Sequence, residues 1–187
     1  KNIEPQTPAL IETTNEISSD VDKLGKIAGR FSKIGSQPKL INENLTSVIR
    51  KVSDYFEKRI PTLTSEDGQT KKKVELIINS PGEINAFINK DLFEWVIENL
   101  MKNAIDAMDR SDGKIEFNIS NVNNEIIIDA TDNGKGIDTK FKKDVFRPGY
   151  STKIRGWGLG LSLSKRIIED YHKGKLLLID STLGKGT

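Results

Sequence analysis

The sequence contains no cysteine and only one histidine, His172. The absence of cysteine excludes disulfide bonds, thiolate metal sites and cysteine nucleophiles, and a single histidine excludes any metal site built from several histidines. No apolar run approaches the roughly 18 residues that a membrane-spanning helix needs. Basic and acidic residues nearly balance at a formal charge of +2, so neither a nucleic-acid partner nor a direct membrane contact is expected.

The N-terminal part of the chain has the periodicity of one long helix, from about Pro8 to Ile34. Apolar residues recur there at alternating spacings of four and three, which is typical of a helix packed in a bundle. An ordinary amphipathic helix lying on its own domain is the alternative. The run Gly35–Pro38 breaks the helix, so we expect two units, 1–38 and 39–187. Because the chain starts at Lys1 and shows no signal-peptide pattern, we expect it to be part of a longer protein.

The second unit mixes helical and strand-like periodicity, which favours an α/β or α+β domain. The spacing predicts helices at about 44–58, 91–108 and 158–171, with Asp91 as the N-cap of the second. It predicts strands at about 74–78, 84–88, 114–120, 125–130 and 175–180, with a hairpin turn at 121–124. The polar stretch 62–73 and the long segment 137–158 are predicted loops, and a loop as long as the latter is usually functional.

Three polar side chains share one stripe of the predicted helix at 91–108. Asn99, Asn103 and Asp106 stand at i, i+4 and i+7, away from the apolar positions. Asparagine is a mediocre helix former, so two in mid-helix are costly unless their amides have a role. Amide oxygens suit Mg²⁺ and amide N–H groups can donate to phosphate. A plain solvated face would account for the stripe equally well.

A carboxylate and a glycine-rich turn follow the strand predicted at 125–130. Asp132 can accept a hydrogen bond from an exocyclic amine, and Gly134 and Gly136 allow a ligand to approach the backbone closely. The alternative is an ordinary Asp-Asn-Gly turn.

Three further segments can serve a phosphate or a base. The glycine-rich run 156–161 opens a predicted helix whose N-terminus suits phosphate, although it matches neither the P-loop nor the dinucleotide fingerprint. The segment 146–153 brings two hydroxyls and a lysine within reach of a polyphosphate. Thr187 has a hydroxyl that can bond a base or its water. Taken singly, each segment is equally well explained as a turn or a basic surface loop.

In this order and spacing, the motifs resemble the ATP-binding catalytic domain of a two-component sensor histidine kinase. The resemblance covers about Val74 to Thr187, and the Asn-Leu-x-x-Asn-Ala-x-Asp-Ala-Met, Ser-Thr-Lys and Gly-x-Gly-Leu-Gly-Leu runs resemble the nitrogen-regulation branch. It implies a Bergerat-type ATP-binding fold, an α/β (α+β) two-layer sandwich with a mixed sheet and helices on one face, preceded by a long dimerisation helix. Residues 8–59 resemble the second helix of that family's dimerisation hairpin and its connector.

The resemblance also implies a role for each matching residue. Asn103, assisted by Asn99, would hold Mg²⁺, and Asp132 would accept from the adenine amino group. Asn103 and Lys153 would be the catalytic residues. The other implied ATP contacts are Gly134, Gly136, Ile137, Tyr150, Ser151, Thr152, Gly158, Leu159, Gly160, Leu161 and Thr187. Asp106 stands where many family members have lysine, so no charged phosphate contact is assigned to it.

The activity implied by the resemblance is transfer of the γ-phosphoryl group of Mg·ATP to a histidine, followed by relay to an aspartate of a response-regulator receiver domain. The accepting histidine belongs to the first helix of the hairpin, which this sequence lacks, so the chain alone is expected to bind ATP without autophosphorylating. In the full-length protein the N-terminal helix would form a homodimer, in the cytoplasmic portion of a sensor that can be membrane-bound. The alternatives are a Bergerat-fold serine kinase of the anti-sigma type and a non-catalytic ATP-binding dimerisation module.

The single histidine is expected to be structural. A phosphoacceptor needs an exposed helix face with a carboxylate in reach, whereas Asp170, two residues before His172, faces another side of the predicted helix. A position at the end of that helix suits a capping or packing role instead.

Overall fold

The computed structural model describes residues 38–59, 74–109, 112–153 and 156–187, the backbone of 63–64 and 71–72, and the isolated residues Thr14, Val21 and Gly25. These three isolated residues are helical, and the rest of the helix predicted at 8–34 lies outside the described residues. The chain divides into two compact units, Lys1–Pro38 and Lys39–Thr187. Nowhere in the described ranges is a helix long and apolar enough to span a membrane.

The second unit contains seven strands and three helices within its described residues. In chain order they are β1 (Ile41–Asn44), α1 (Leu45–Glu57), β2 (Leu63–Thr64), β3 (Lys71–Lys72), β4 (Glu75–Asn79), β5 (Asn85–Ile88), α2 (Lys90–Ala107), β6 (Lys114–Val122), β7 (Glu125–Asp132) and α3 (Gly160–Arg166). A 3₁₀ turn at Thr139–Phe141 lies in the long segment after β7, and α3 continues as a π-helical turn at Ile167–Tyr171.

The main sheet is mixed, as predicted. Strand β6 pairs with β4 in parallel and with β7 antiparallel, in the order β4-β6-β7. Asn123 and Asn124 both have positive φ, 51° and 69°, and connect β6 to β7 in a tight turn. This confirms the predicted hairpin, with a turn of two residues instead of four. The strand β1, which the sequence analysis missed, pairs with β5 in a separate two-stranded sheet.

One face of the main sheet packs against α1 and α2, and the other faces outward. Along β6 every second residue is buried, while the alternate residues, such as Glu116, are more exposed. The inward faces of α1, α2 and β6 form the core. Its buried members include Leu45, Val48, Ile49, Val52, Phe93, Ile97, Met101, Ala104, Ile115, Phe117 and Ile119. Full burial of a large apolar side chain contributes about 1.5–3 kcal/mol, so this layer fixes α2 on the sheet.

The start of α2 differs from the prediction. Asn89, not Asp91, is the N-cap, because Asn89 has extended backbone and its side chain accepts from the N–H of Leu92. Asp91 lies in the first turn, where a carboxylate still interacts favourably with the helix dipole.

Three other expectations are corrected. The predicted loop 62–73 contains the β2–β3 pairing. The third helix begins at Gly160 and not at Gly158, because Gly158 has a φ of +65° that no helical residue adopts. The predicted strand at 175–180 is not a strand. None of the described strands pairs with this segment. Its alternating apolar residues are not buried against a sheet either, since Leu177 and Ile179 are 60% and 81% exposed.

His172 closes the junction between α2 and the π-helical turn. Its Nε2 accepts from the backbone N–H of Asn89 at 3.0 Å, so Nδ1 carries the proton and donates to the carbonyl of Ile167 at 2.9 Å. The ring also meets Phe93 edge-on. The structural role predicted for this histidine agrees with these contacts.

The His172 contacts predict a pH dependence of stability. Burial lowers the pKa of His172 below its ordinary value of 6.5, against the opposing effect of its contact with the Ile167 carbonyl. The folded state therefore favours the neutral ring, and its stabilisation is complete above about pH 6.5 and declines as the pH falls below that value. Urea unfolding at pH 7.5 and 5.5 should show a larger loss of unfolding free energy for the unaltered chain than for His172→Gln. Equal losses in both proteins would contradict this account of the ring.

Candidate functional site

The end of β7 brings Asp132 and Thr187 side by side. Their backbones exchange two hydrogen bonds, from Asp132 N–H to Thr187 O at 2.8 Å and from Thr187 N–H to Asp132 O at 3.1 Å. Residues paired in this way project their side chains to the same face. That face is the one directed at the helices, because Ile126 and Ile128, in phase with Asp132 along β7, pack against the core.

The Asp132 carboxylate is held by the turn that follows it. Its Oδ1 accepts from the backbone N–H of Gly134 at 2.9 Å. Burial raises the pKa of Asp132, and backbone hydrogen bonds from Gly134 and Thr187 lower it in part. A half-buried carboxylate retains lone pairs beyond those used by these donors, so it can accept from an amine.

Close backbone contacts explain two of the glycines in this region. Gly136 has a φ of +68°, and a Cβ on it would lie 2.2 Å from the carbonyl oxygen of Thr182. Gly186 has a φ of +109°, and its Cβ would lie 1.9 Å from the carbonyl oxygen of Asp132. The turn after β7 and the turn at 182–187 therefore pack backbone to backbone. The space at Gly136 that the sequence analysis assigned to an approaching base is filled by the chain itself.

Ser181 joins these two turns and was missed by the sequence analysis. It is 4% exposed, and its hydroxyl donates to the carbonyl of Gly186 at 3.0 Å and accepts from the N–H of Ile137 at 2.8 Å. The hydroxyl of Thr187 lies 2.9 Å from the same oxygen. A serine shortly before a Gly-Lys-Gly-Thr run gives no periodic signal, so only the contacts identify it.

On α2, a lysine from the long segment after β7 lies over the polar stripe. The ammonium of Lys153 donates to Asn103 Oδ1 at 3.0 Å and to Asp106 Oδ2 at 2.7 Å. Lys153 and Asp106 are both about two-fifths exposed, so the pair contributes little to stability. The position of the pair matters more than its strength, because it shows that two hard oxygens of the stripe lie in contact with a positive charge.

The third member of the stripe has different contacts. Asn99 Nδ2 donates to Ser164 Oγ at 3.2 Å and to the carbonyl of Gly160 at 3.4 Å. Its amide therefore connects α2 to α3. The structure brings Asn103 together with Lys153, and it places Asn99 one helical turn away, against the glycine-rich helix.

The glycine-rich run is closed against the segment that precedes it. Gly149 N–H donates to Gly158 O at 3.0 Å, and a Cβ on Gly158 would lie 2.3 Å from the carbonyl carbon of Gly149. No side chain caps the N-terminus of α3 at Leu159, so its first N–H groups remain available to an anion. Leu161 follows in the first turn and is partly buried.

The polar side chains of the segment 146–153 differ in their contacts. Ser151 Oγ accepts from the N–H of Lys153 in a local turn, and Thr152 is exposed. Tyr150 packs its ring against Phe141, 5.8 Å between centroids, and its hydroxyl is buried without a hydrogen-bond partner. An unpaired buried hydroxyl is costly, so the position of the Tyr150 ring is not explained by its hydrogen bonding.

The donor set near α2 fits a divalent cation that is shared with a phosphate. The described residues contain no group of three or more His, Asp or Glu side chains that could hold a metal ion. Mg²⁺ is commonly held by one or two protein oxygens together with substrate phosphates. The Lys153 ammonium beside Asn103 Oδ1 marks a position where a cation is favourable.

Comparison with known proteins identifies the family to which the chain is similar. Residues 88–187 match the model of the family described as histidine kinase-, DNA gyrase B-, and HSP90-like ATPases. The chain is 25% identical to the nitrogen regulation protein NtrY of Azorhizobium caulinodans, over 94% of this chain and 22% of that protein. It spans less than half the length of each such curated relative.

Solved structures show the same fold. The nucleotide-free catalytic domain of histidine kinase ThkA is similar with a TM-score of 0.63 and 28% identity, covering 74% of this chain and 86% of that one. ThkA in complex with the response regulator TrrA is similar with a TM-score of 0.66 at 24% identity, covering 94% of this chain and 48% of that one. The predicted fold class and the predicted resemblance to sensor histidine kinases are both confirmed.

Proposed function

We propose that this chain, which belongs to the histidine kinase-, DNA gyrase B-, and HSP90-like ATPase family, binds Mg·ATP and delivers the γ-phosphoryl group to a histidine. The observation that carries the proposal is a pair of polar clusters, which we place at the two ends of one site. Asp132 and Thr187 form an accepting edge for a base, and Lys153 with Asn103 forms a cation-bearing edge for phosphates.

Phosphoryl transfer needs positioning and charge neutralisation more than covalent chemistry by the protein. In this proposal Asp132 accepts from the adenine amine, with Gly134 orienting the carboxylate through its N–H. Lys153 moves its ammonium from Asn103 and Asp106 to the β- and γ-phosphates, to which it donates. Mg²⁺, held by Asn103 with assistance from Asn99, would neutralise phosphate charge.

The N-terminal end of α3 faces the same phosphates. Gly158 permits the tight closure onto Gly149, and the N–H groups that follow Leu159 donate to phosphate oxygens. The imidazole nitrogen of the acceptor bonds to the γ-phosphorus while the bond from phosphorus to the β–γ bridging oxygen breaks, and ADP leaves. The acceptor is not His172, because both nitrogens of that ring are bonded to backbone groups.

The acceptor histidine and the partners are assigned to the parent protein. We place the unit 1–38 as the second helix of a dimerisation hairpin, through which the full-length protein forms a homodimer. The phosphoryl group then passes to an aspartate of a response-regulator receiver domain, the kind of protein that ThkA binds in its complex. We assign the chain to the cytoplasmic portion of the sensor.

A phosphotransfer assay tests the proposal. The chain is mixed with a segment of its parent that carries the preceding helix and its histidine, together with γ-labelled ATP and Mg²⁺. Label should appear on the added segment as acid-labile, alkali-stable phosphohistidine, and the chain alone should remain unlabelled. Asp132→Asn, run in parallel, should reduce labelling by at least about 10-fold, since a charge-assisted hydrogen bond is worth about 1.5–3 kcal/mol.

The same assay separates the alternatives. Acid-stable label on serine would favour a serine kinase. ATP binding without any labelled acceptor would favour a non-catalytic nucleotide-binding module.

A further inference from the structure

The hydroxyl of Ser181 makes three polar contacts, and together they fix where its proton and that of the Thr187 hydroxyl lie. The N–H of Ile137 is only a donor, so the Ser181 oxygen accepts from it. The carbonyl of Gly186 is only an acceptor, so the single Ser181 proton is donated there. The remaining contact, 2.9 Å between the two hydroxyl oxygens, then requires Thr187 to donate.

The direction of this last bond determines what Thr187 offers to a neighbour. With its proton directed at Ser181, the Thr187 oxygen presents only lone pairs elsewhere. Asp132, paired with Thr187 across the end of the sheet, is also only an acceptor when ionised. The two side chains on this face are therefore two acceptors side by side.

We propose that Ser181 is a positioning residue that sets the base selectivity of the site by orienting the Thr187 hydroxyl. This inference rests on the proposed ATP-binding function. Two adjacent acceptors favour a base edge that carries an exocyclic amine, which has two N–H groups to donate. A purine with a carbonyl oxygen at that place meets lone pairs on both sides, so the site disfavours 6-oxopurines beyond the effect of Asp132 alone.

Removing Ser181 releases the Thr187 hydroxyl. In Ser181→Ala the Thr187 proton loses its acceptor and turns outward, where it can donate to the oxygen of a 6-oxopurine. Loss of the contacts to Ile137 and Gly186 also loosens the two turns, but that change weakens binding of either base alike. The ratio of affinities therefore reports the hydroxyl direction, whereas the absolute affinity reports the packing.

The experiment measures Kd for ATP and for inosine triphosphate by calorimetry in the presence of Mg²⁺. In Ser181→Ala the selectivity for ATP should fall by about 5- to 10-fold, the equivalent of one neutral hydrogen bond. The same substitution made in a Thr187→Val background should leave the ratio unchanged, because Ser181 then has no hydroxyl to orient. Ser80→Ala is the matched control, since Ser80 donates to a carbonyl beyond the end of β4, away from Asp132.

Each outcome decides the matter. A fall in the ratio with Thr187 present, and no further fall in the Thr187→Val background, supports the assignment. An unchanged ratio in Ser181→Ala, or an equal fall in both backgrounds, overturns it while leaving ATP binding intact. Absence of binding of both nucleotides by the unaltered chain overturns the proposed function and this inference with it.

Discussion

Replacing Asp132 by asparagine should weaken ATP binding by about 100-fold. The carboxylate offers only lone pairs to the adenine amine, whereas an asparagine amide can turn an N–H donor toward it. Loss of a charge-assisted hydrogen bond at a half-buried position costs about 1.5–3 kcal/mol. An amide N–H of the asparagine that points at an N–H of the adenine amine adds to that cost. Calorimetric titration with Mg·ATP measures the effect.

The control for this substitution lies on the same strand. Asp129→Asn makes the same chemical change on the outward face of β7, opposite Asn118 of β6, and should leave the affinity for ATP unaltered. An Asp132→Asn chain that binds ATP as the unaltered chain does would remove Asp132 from the site. An equal loss in both variants would point to a general effect on the strand.

The elements that position this site could be predicted from the sequence because each has a strong local signal. The helix α2 shows a long apolar periodicity, and the β6–β7 hairpin alternates around asparagines that tolerate positive φ. Asp132 was identified because a carboxylate that ends a strand and enters a glycine turn is itself a local pattern. These parts of the core and of the site could therefore be predicted from residues that lie close together in the sequence.

What the sequence could not predict depends on contacts between distant segments. The N-cap at Asn89 instead of Asp91 follows from the entry of β5 into α2. Lys175–Asp180 has strand periodicity, but a strand also needs a neighbour with free backbone groups, which no pattern within the segment can supply. Ser181 shows the same limit, since its partners at Ile137 and Gly186 come from different turns.

The arrangement of Lys153 also emerged only from the structure. From the sequence, Lys153 is expected to contact phosphate and Asp106 has no expected role, yet the two side chains are paired at 2.7 Å. In the structure the ammonium of Lys153 contacts both Asn103 Oδ1 and Asp106 Oδ2 on the polar stripe of α2. If Mg·ATP binds as proposed, it displaces Lys153 from Asn103 and Asp106, so binding of the metal and movement of the lysine are coupled at this edge of the site.

Replacing Asn103 by alanine should abolish most of the gain in ATP affinity that Mg²⁺ provides, a loss of about 100-fold measured in excess Mg²⁺. The amide oxygen of Asn103 is one of the two hard oxygens of the stripe that lie next to a positive charge in the structure, and alanine offers none. In EDTA the variant and the unaltered chain should bind ATP with similar affinity, because Lys153 can still reach the phosphates in both. Titration with and without Mg²⁺ separates the two contributions.

Asn42→Ala is the matched control, since Asn42 is an exposed asparagine of β1, paired with Phe87 in the two-stranded β1–β5 sheet. It should retain the full effect of Mg²⁺. If Asn103→Ala also retains that effect, the cation is held elsewhere and the stripe of α2 serves only Lys153. If the affinity of Asn103→Ala for ATP falls equally with and without Mg²⁺, Asn103 acts by positioning Lys153. The reason is that the contribution of the lysine to ATP binding does not depend on the metal.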